Sequence, residues 1–212
     1  MNWITKFIKP KIASLFKKKT AESEQVLWTT CECKNLIYKE DLQKNLNCCP
    51  KCGAHHKLTC VERFEIFFDN KEFSLISTPL PKDDPINFID KKKYTDRLKL
   101  ARKITKQDDA VAISTGKVND IEVTVGAQDF RFIGGSFGAA SGEAFIHGIQ
   151  HAIDNKNPFI FFSCSGGQRM MESAIALMQM SRTVLAVNEL KKNNLPYIVV
   201  LTNPTTGGVT AS

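Results

Sequence analysis

The chain reads as an α/β domain preceded by a small metal-bound module, and three observations carry that reading. Two buried-strand patterns, Pro158–Cys164 and Leu195–Asn203, each run into a paired-glycine turn, Gly166-Gly167 and Gly207-Gly208. A helix-forming stretch joins them, so the order is strand, helix, strand, the signature of parallel strands with a crossover. Five of the seven cysteines fall between Cys31 and Cys52.

Residues 1–25 form a basic tail in which Trp3, Ile4, Phe7 and Ile8 are scattered among lysines. It lacks the apolar core and small-residue cleavage site of a secretion signal. No apolar run in the chain approaches the roughly 20 residues that span a bilayer. The expectation is a cytoplasmic protein. The net charge of +7 is uneven: residues 1–60 hold eleven lysines against five carboxylates. Such an excess suits an anionic partner, and a nucleic-acid-binding zinc module is the rival reading of this half.

Residues 26–60 are expected to be a zinc ribbon. Cys49-Pro50-Lys51-Cys52-Gly53 places two thiolates within reach of one ion, with a glycine for the turn. The opposite half is Cys31-Glu32-Cys33, one residue tighter than usual, with Asn35–Ile37 and Leu42–Leu46 expected as a hairpin between them. Cys31, Cys33, Cys49 and Cys52 are the expected structural zinc ligands. Cys48, His55 and His56 remain rivals to Cys31. Cys60 and Cys164 read as small buried hydrophobes.

Residues 61–212 hold the main domain. Val61–Phe68 predicts a short amphipathic helix, Phe73–Ser77 a strand, and proline-rich Thr78–Pro85 a loop. Lys91–Gln107 predicts a basic helix with Tyr94, Leu98 and Ala101 on its inner face. Ala110–Val118 and Ile121–Gln128 flank Asn119-Asp120 as a two-residue hairpin. Phe130–Ile133 is expected as a third strand, Ser141–Asn155 as a helix, and Met170–Leu190 as the helix behind the first diglycine. At both diglycines, on one edge of the sheet, unpaired backbone amides are expected to converge as an anion cradle or oxyanion hole.

Gly134-Gly135-Ser136-Phe137-Gly138 fits the G-x-S-x-G elbow of serine hydrolases. The only later histidines are His147 and His151, both on the next helix, so a Ser-His-acid triad is not expected. Those two lack a third ligand and read as half-exposed helix residues. Without a positioned protein base, chemistry would rest on backbone amides and a base carried by the substrate.

The ordered motifs Trp28-Thr29-Thr30, Cys49-Pro50-Lys51-Cys52, Gly134–Gly138, Ser165–Met170, Leu177–Met180 and Pro204–Ser212 resemble the β subunits of bacterial-type acetyl-CoA carboxylase carboxyltransferase. The resemblance covers the chain from about Val26 onward, and its first cysteine pair departs from the family's Cys-x-x-Cys. It implies a crotonase-like spiral fold, C-terminally incomplete here because the family's domain continues past Ser212. It also implies transfer of the carboxyl group from carboxybiotin, presented on the biotin carboxyl carrier protein, to acetyl-CoA, giving malonyl-CoA. The implied assembly includes biotin carboxylase and a carboxyltransferase α subunit, as an α2β2 heterotetramer, without which this chain is expected to be inactive. Gly166 and Gly167 would form the oxyanion hole, with Gly207 and Gly208 in the same pocket. Gly134, Gly135, Ser136 and Arg169 would contact the CoA thioester. The remaining alternative is another crotonase-type acyl-CoA enzyme using Glu143 or Glu172.

Overall fold

The computed structural model describes residues 27–212, and the basic tail of residues 1–25 lies outside them. The chain divides into two compact units after His56, rather than after Cys60. Cys60 opens the first helix of the second unit, and its thiol donates to the Ala127 carbonyl of the central sheet at 3.1 Å.

In the first unit, β1 (Trp28–Thr30) pairs antiparallel with β2 (Leu36–Tyr38). The tight Cys31–Cys33 knuckle lies between them, closed by Lys34 N–H to Cys31 O at 2.8 Å and Cys31 N–H to Asn35 O at 3.0 Å. Leu42–Leu46 is not a strand: Lys39–Lys44 forms the short helix α1, with Glu40 and Asp41 in its first turn and Lys44 in its last. Leu42 is its one buried side chain, so no alternation of apolar residues holds it in a sheet.

The second unit is a five-stranded sheet of order β3-β4-β5-β6-β7. The strands are β3 (Phe73–Ile76), β4 (Val111–Val118), β5 (Ile121–Gln128), β6 (Phe159–Ser165) and β7 (Tyr197–Thr205). The first two pairings are antiparallel and the last two parallel. Asn119 and Asp120, at φ 49° and 64°, make the two-residue hairpin turn. Helices α2 (Cys60–Phe67), α3 (Tyr94–Thr105), α4 (Ala139–Asp154), α5 (Ala174–Lys192) and α6 (Gly208–Ala211) complete it. Thr59 caps α2 reciprocally with Glu62, a device contributing about 1 kcal/mol.

Strand β6, held between β5 and β7, is buried on both faces, and its alternation divides the core. Phe159 and Phe161 pack with Phe145 and Ile149 of α4, whereas Ile160 and Phe162 pack with Phe64 and Phe68 beside α2. Each such side chain removed from water is worth roughly 1.5–3 kcal/mol. Burial pushes the Cys60 thiol up to about 12, so it stays protonated at neutral pH. Dithionitrobenzoate at pH 8 should therefore label Cys60 only after denaturation. Rapid labelling of Cys60 in the native protein would contradict this packing.

Three expectations change. Phe130–Ile133 is a turn, because the Asp129 carboxylate accepts the Arg131 amide at 2.9 Å and draws the chain round. Strand β7 is not buried: Ile198 and Leu201 are 48% and 56% exposed, because it pairs with β6 alone and is the sheet's edge among the described residues. The helix behind the first diglycine starts at Ala174, after a short 3-10 turn over Met170–Glu172. Its first residue is therefore seven positions beyond Gly167, not directly behind the turn. No helix among the described residues is long and apolar enough to cross a membrane.

Candidate functional site

The parallel strands β6 and β7 end side by side, which places both diglycine turns on one edge of the sheet. A register shift after Ser163 pairs Ser165 with Thr205 instead of its in-step neighbour. That irregularity re-aims the end of β7, anchored by Thr205 Oγ1 to Ser163 O at 3.0 Å and Thr206 N–H to Ser165 O at 3.0 Å. The two turns consequently abut: a Cβ on Gly207 would lie 3.3 Å from Gly167 Cα. Gly207 has φ 62° and ψ −146°, and Gly167 φ 119°, backbone conformations that glycine alone adopts cheaply.

The Gly134–Gly138 turn is stitched to the first diglycine by three backbone bonds. Gly166 N–H donates to Gly134 O, Phe137 N–H to Gly167 O, and Arg169 N–H to Phe137 O, each at 2.9 Å. The buried Gln128 adds a fourth tie, donating to Gly135 O at 2.7 Å and accepting from Cys164 N–H at 3.2 Å.

These bonds correct the expected donor set. The Gly166 amide is used by Gly134 O, and the Gly167 amide donates to Ser165 Oγ at 3.0 Å. The Gly207 and Gly208 amides, by contrast, have no acceptor among the described residues. Cys164 is half-buried rather than core, with its thiol 3.8 Å from Asn203 O.

Arg169 is a second correction, because it is 1% exposed and faces inward rather than toward a ligand. Its guanidinium makes a fork with Asp109 at 2.6 and 2.7 Å, and donates to Ser136 O at 2.7 Å, Tyr94 OH at 3.1 Å and Glu172 at 3.3 Å. Ser136 Oγ accepts from Arg169 Nε at 3.2 Å, so that hydroxyl also serves the buried cluster. Burial opposes the Arg169 charge, but Asp109 more than reverses this and holds its pKa above the ordinary arginine range. Arg169→Met would leave two buried carboxylates without their cation, a loss of about 3–5 kcal/mol. A lowered urea midpoint should show it; an unchanged midpoint would contradict it.

Neither carboxylate flagged in the sequence is free. Glu172 accepts from Tyr94 OH and from Ala139 N–H, both at 2.6 Å, and Glu143 pairs with Arg182 at 2.8 Å. His147 and His151 are half-exposed on α4, and His151 lies 3.1 Å from Thr124 Oγ1. Asp109 and Gln128 escaped the sequence reading, which placed Tyr94 on the inner face of its helix but gave it no polar partner. No local spacing ties residues 60 and 75 positions away to Arg169.

In the first unit, the sulfurs of Cys31, Cys33, Cys49 and Cys52 lie within 4.8 Å of one another, with Cys31–Cys52 at 3.6 Å and Cys33–Cys49 at 3.9 Å. Tetrahedral zinc at its usual sulfur distance needs separations of about 3.8 Å, so the four cysteines fit that ion. Cys48 turns instead to His55 Nδ1 at 3.4 Å. Asn35 donates to Cys33 Sγ at 3.3 Å and holds that thiol down at about 6, favouring the ligating thiolate.

The second unit is thus a mixed α/β sheet with two diglycine corners on one edge, and the first a four-cysteine knuckle, the architecture of a two-part enzyme subunit with a structural metal module. The carboxyl transferase domain family matches residues 55–210, and the acetyl-CoA carboxylase zinc finger domain matches residues 28–52. The acetyl-coenzyme A carboxylase carboxyl transferase subunit beta of Pelagibacter ubique is 51% identical over all of this chain and 70% of its own length. Its counterpart in Jannaschia is 46% identical over all of this chain and 66% of its own. The chain thus spans about two thirds of the length of these relatives. Among solved structures, transcarboxylase 12S with methylmalonyl-coenzyme A and methylmalonic acid bound superposes with TM-score 0.59 at 22% identity, over 81% of this chain and 29% of the other. A Pseudomonas malonate decarboxylase hetero-tetramer in complex with malonate gives 0.54 at 20%, over 73% and 54%. The chain belongs to the family of acetyl-CoA carboxylase carboxyl transferase β subunits, and the four cysteines are its structural zinc site.

Proposed function

We propose that this chain binds the acyl-CoA partner in carboxyl transfer from carboxybiotin to acetyl-CoA, forming malonyl-CoA for fatty-acid synthesis. The observation that carries the reading is the abutment of the two diglycine corners, with the Gly207 and Gly208 amides free. A thioester oxygen that gains charge on enolisation needs pre-aligned N–H donors in a water-poor pocket. Gly207 and Gly208 supply those donors. Gly166 and Gly167 supply a wall without side chains, and Gly134, Gly135 and Ser136 back that wall through their bonds to residues 166–169.

Carboxybiotin supplies the carboxyl group and, once that group has left, a basic ureido nitrogen. A base of that kind accords with the pairing of Glu143 and Glu172, which leaves neither as a free proton acceptor. The partners proposed are a carboxyltransferase α subunit in an α2β2 assembly, the biotin carboxyl carrier protein and biotin carboxylase, in the cytoplasm. The test is malonyl-CoA decarboxylation by the full-length β chain with its α subunit. Turnover dependent on both subunits is expected; none at saturating malonyl-CoA would overturn the reading.

A further inference from the structure

The buried cluster around Arg169 has a shape that stability alone does not require. Asp109 precedes β4, Tyr94 opens α3, Ser136 lies in the Gly134–Gly138 turn, and Glu172 follows the first diglycine. Arg169 touches all four, and Ser141 Oγ closes the ring on Asp109 at 2.5 Å. Glu172 reaches further: its second oxygen takes the Ala139 amide at the start of α4, directly beyond the glycine turn. Gly138 has no room for a side chain, because a Cβ there would meet that carboxylate at 2.6 Å. One guanidinium therefore clamps the two turns whose backbones are already joined through Gly134, Phe137 and Gly167. The second diglycine rests on Gly167 in turn.

We propose that Arg169 is a positioning residue whose planar fork to Asp109, braced by Tyr94 and Glu172, sets the separation of the Gly134–Gly138 and Gly166-Gly167 turns and thereby the aim of the Gly207 and Gly208 amides. This rests on the carboxyl transfer reading above. The fork matters as well as the charge: an ammonium is a point donor and cannot span Asp109 and Ser136 in one plane. Small misplacements of a donor set cost rate before they cost ground-state binding.

The test uses the full-length chain with its α subunit, malonyl-CoA as substrate, and two conservative variants. Tyr94→Phe keeps the buried ring and removes only the brace; Arg169→Lys keeps the charge and removes the fork. Tyr94→Phe is expected to lower kcat about 10-fold with KM within about 2-fold of wild type and zinc content unchanged, while Tm falls by only a few degrees for the one buried hydroxyl lost, leaving the protein folded at the assay temperature. Arg169→Lys is expected to lower kcat by about 100-fold, again with little change in KM. Wild-type kcat in Tyr94→Phe, or full activity in Arg169→Lys, overturns the proposal. So does a loss of rate that tracks a fall in Tm and recovers on cooling, since that is a purely structural role. If Arg169→Lys does not fold, Tyr94→Phe and Ser136→Ala, which removes the Nε acceptor, decide the matter by the same kcat and KM readout. An inactive wild-type complex would instead overturn the underlying reading and the proposal with it.

Discussion

Replacing Gly207 by alanine is expected to reduce carboxyl transfer by about 10²–10³-fold, the usual cost of losing one oxyanion donor. The reason is geometric. Gly207 sits at φ 62° and ψ −146°, where an L side chain is strained by about 1–3 kcal/mol. Its Cβ would also press on Gly167 Cα at 3.3 Å. The corner relieves both by rotating, and the Gly207 and Gly208 amides turn away from their common target. The fold should survive, because the buried core clusters are built before this corner, with Val209 the one partly buried side chain packed on them from beyond it among the described residues. Steady-state kinetics of the α-supplemented enzyme, with zinc content and circular dichroism as controls, provide the check. Near-wild-type turnover in Gly207→Ala would remove these amides from the mechanism.

The second large effect concerns the ribbon. Cys49→Ala should abolish zinc binding, because it removes a buried sulfur from a four-ligand set. Structural zinc contributes on the order of 10–16 kcal/mol of binding free energy, which in a module this small is folding free energy. Among the described residues, the buried side chains that pack with the ligands are Ile37 and Leu42, far too few to hold residues 27–56 together without the ion. Loss of dispersed amide signals from that segment is expected, with those of the sheet retained on their own apolar cores. A Cys49→Ala protein that still carries one zinc per chain would show that Cys48 or a histidine takes its place.

Much of the architecture was legible because it is written in short-range patterns. The runs Ala110–Val118 and Ile121–Gln128 around the Asn119-Asp120 turn, and the unbroken apolar run of Phe159–Phe162, each specify a local geometry with no need of a distant partner. The strand–diglycine–helix order also placed both corners on one edge, since parallel strands joined by crossovers must end together. The pattern failed where a side chain's local surroundings mislead. Leu195–Asn203 is as apolar as a buried strand, yet its burial depends on having neighbours on both sides, which periodicity does not report. Phe130–Ile133 is apolar enough for a strand, but Asp129 bonds the following amide and bends it.

The chain's own order of residues determined most of the element types, the diglycine corners and the cysteine knuckle, because each follows from spacing along the backbone. Only the tertiary structure decided which amides remain free to meet a ligand and which are used internally. Only it turned Arg169 from an apparent ligand contact into a buried clamp. The physical reason is the same in both cases: hydrogen-bond satisfaction and the pairing of buried charge are settled by partners tens of residues away, and those partners meet only when the sheet closes its layers.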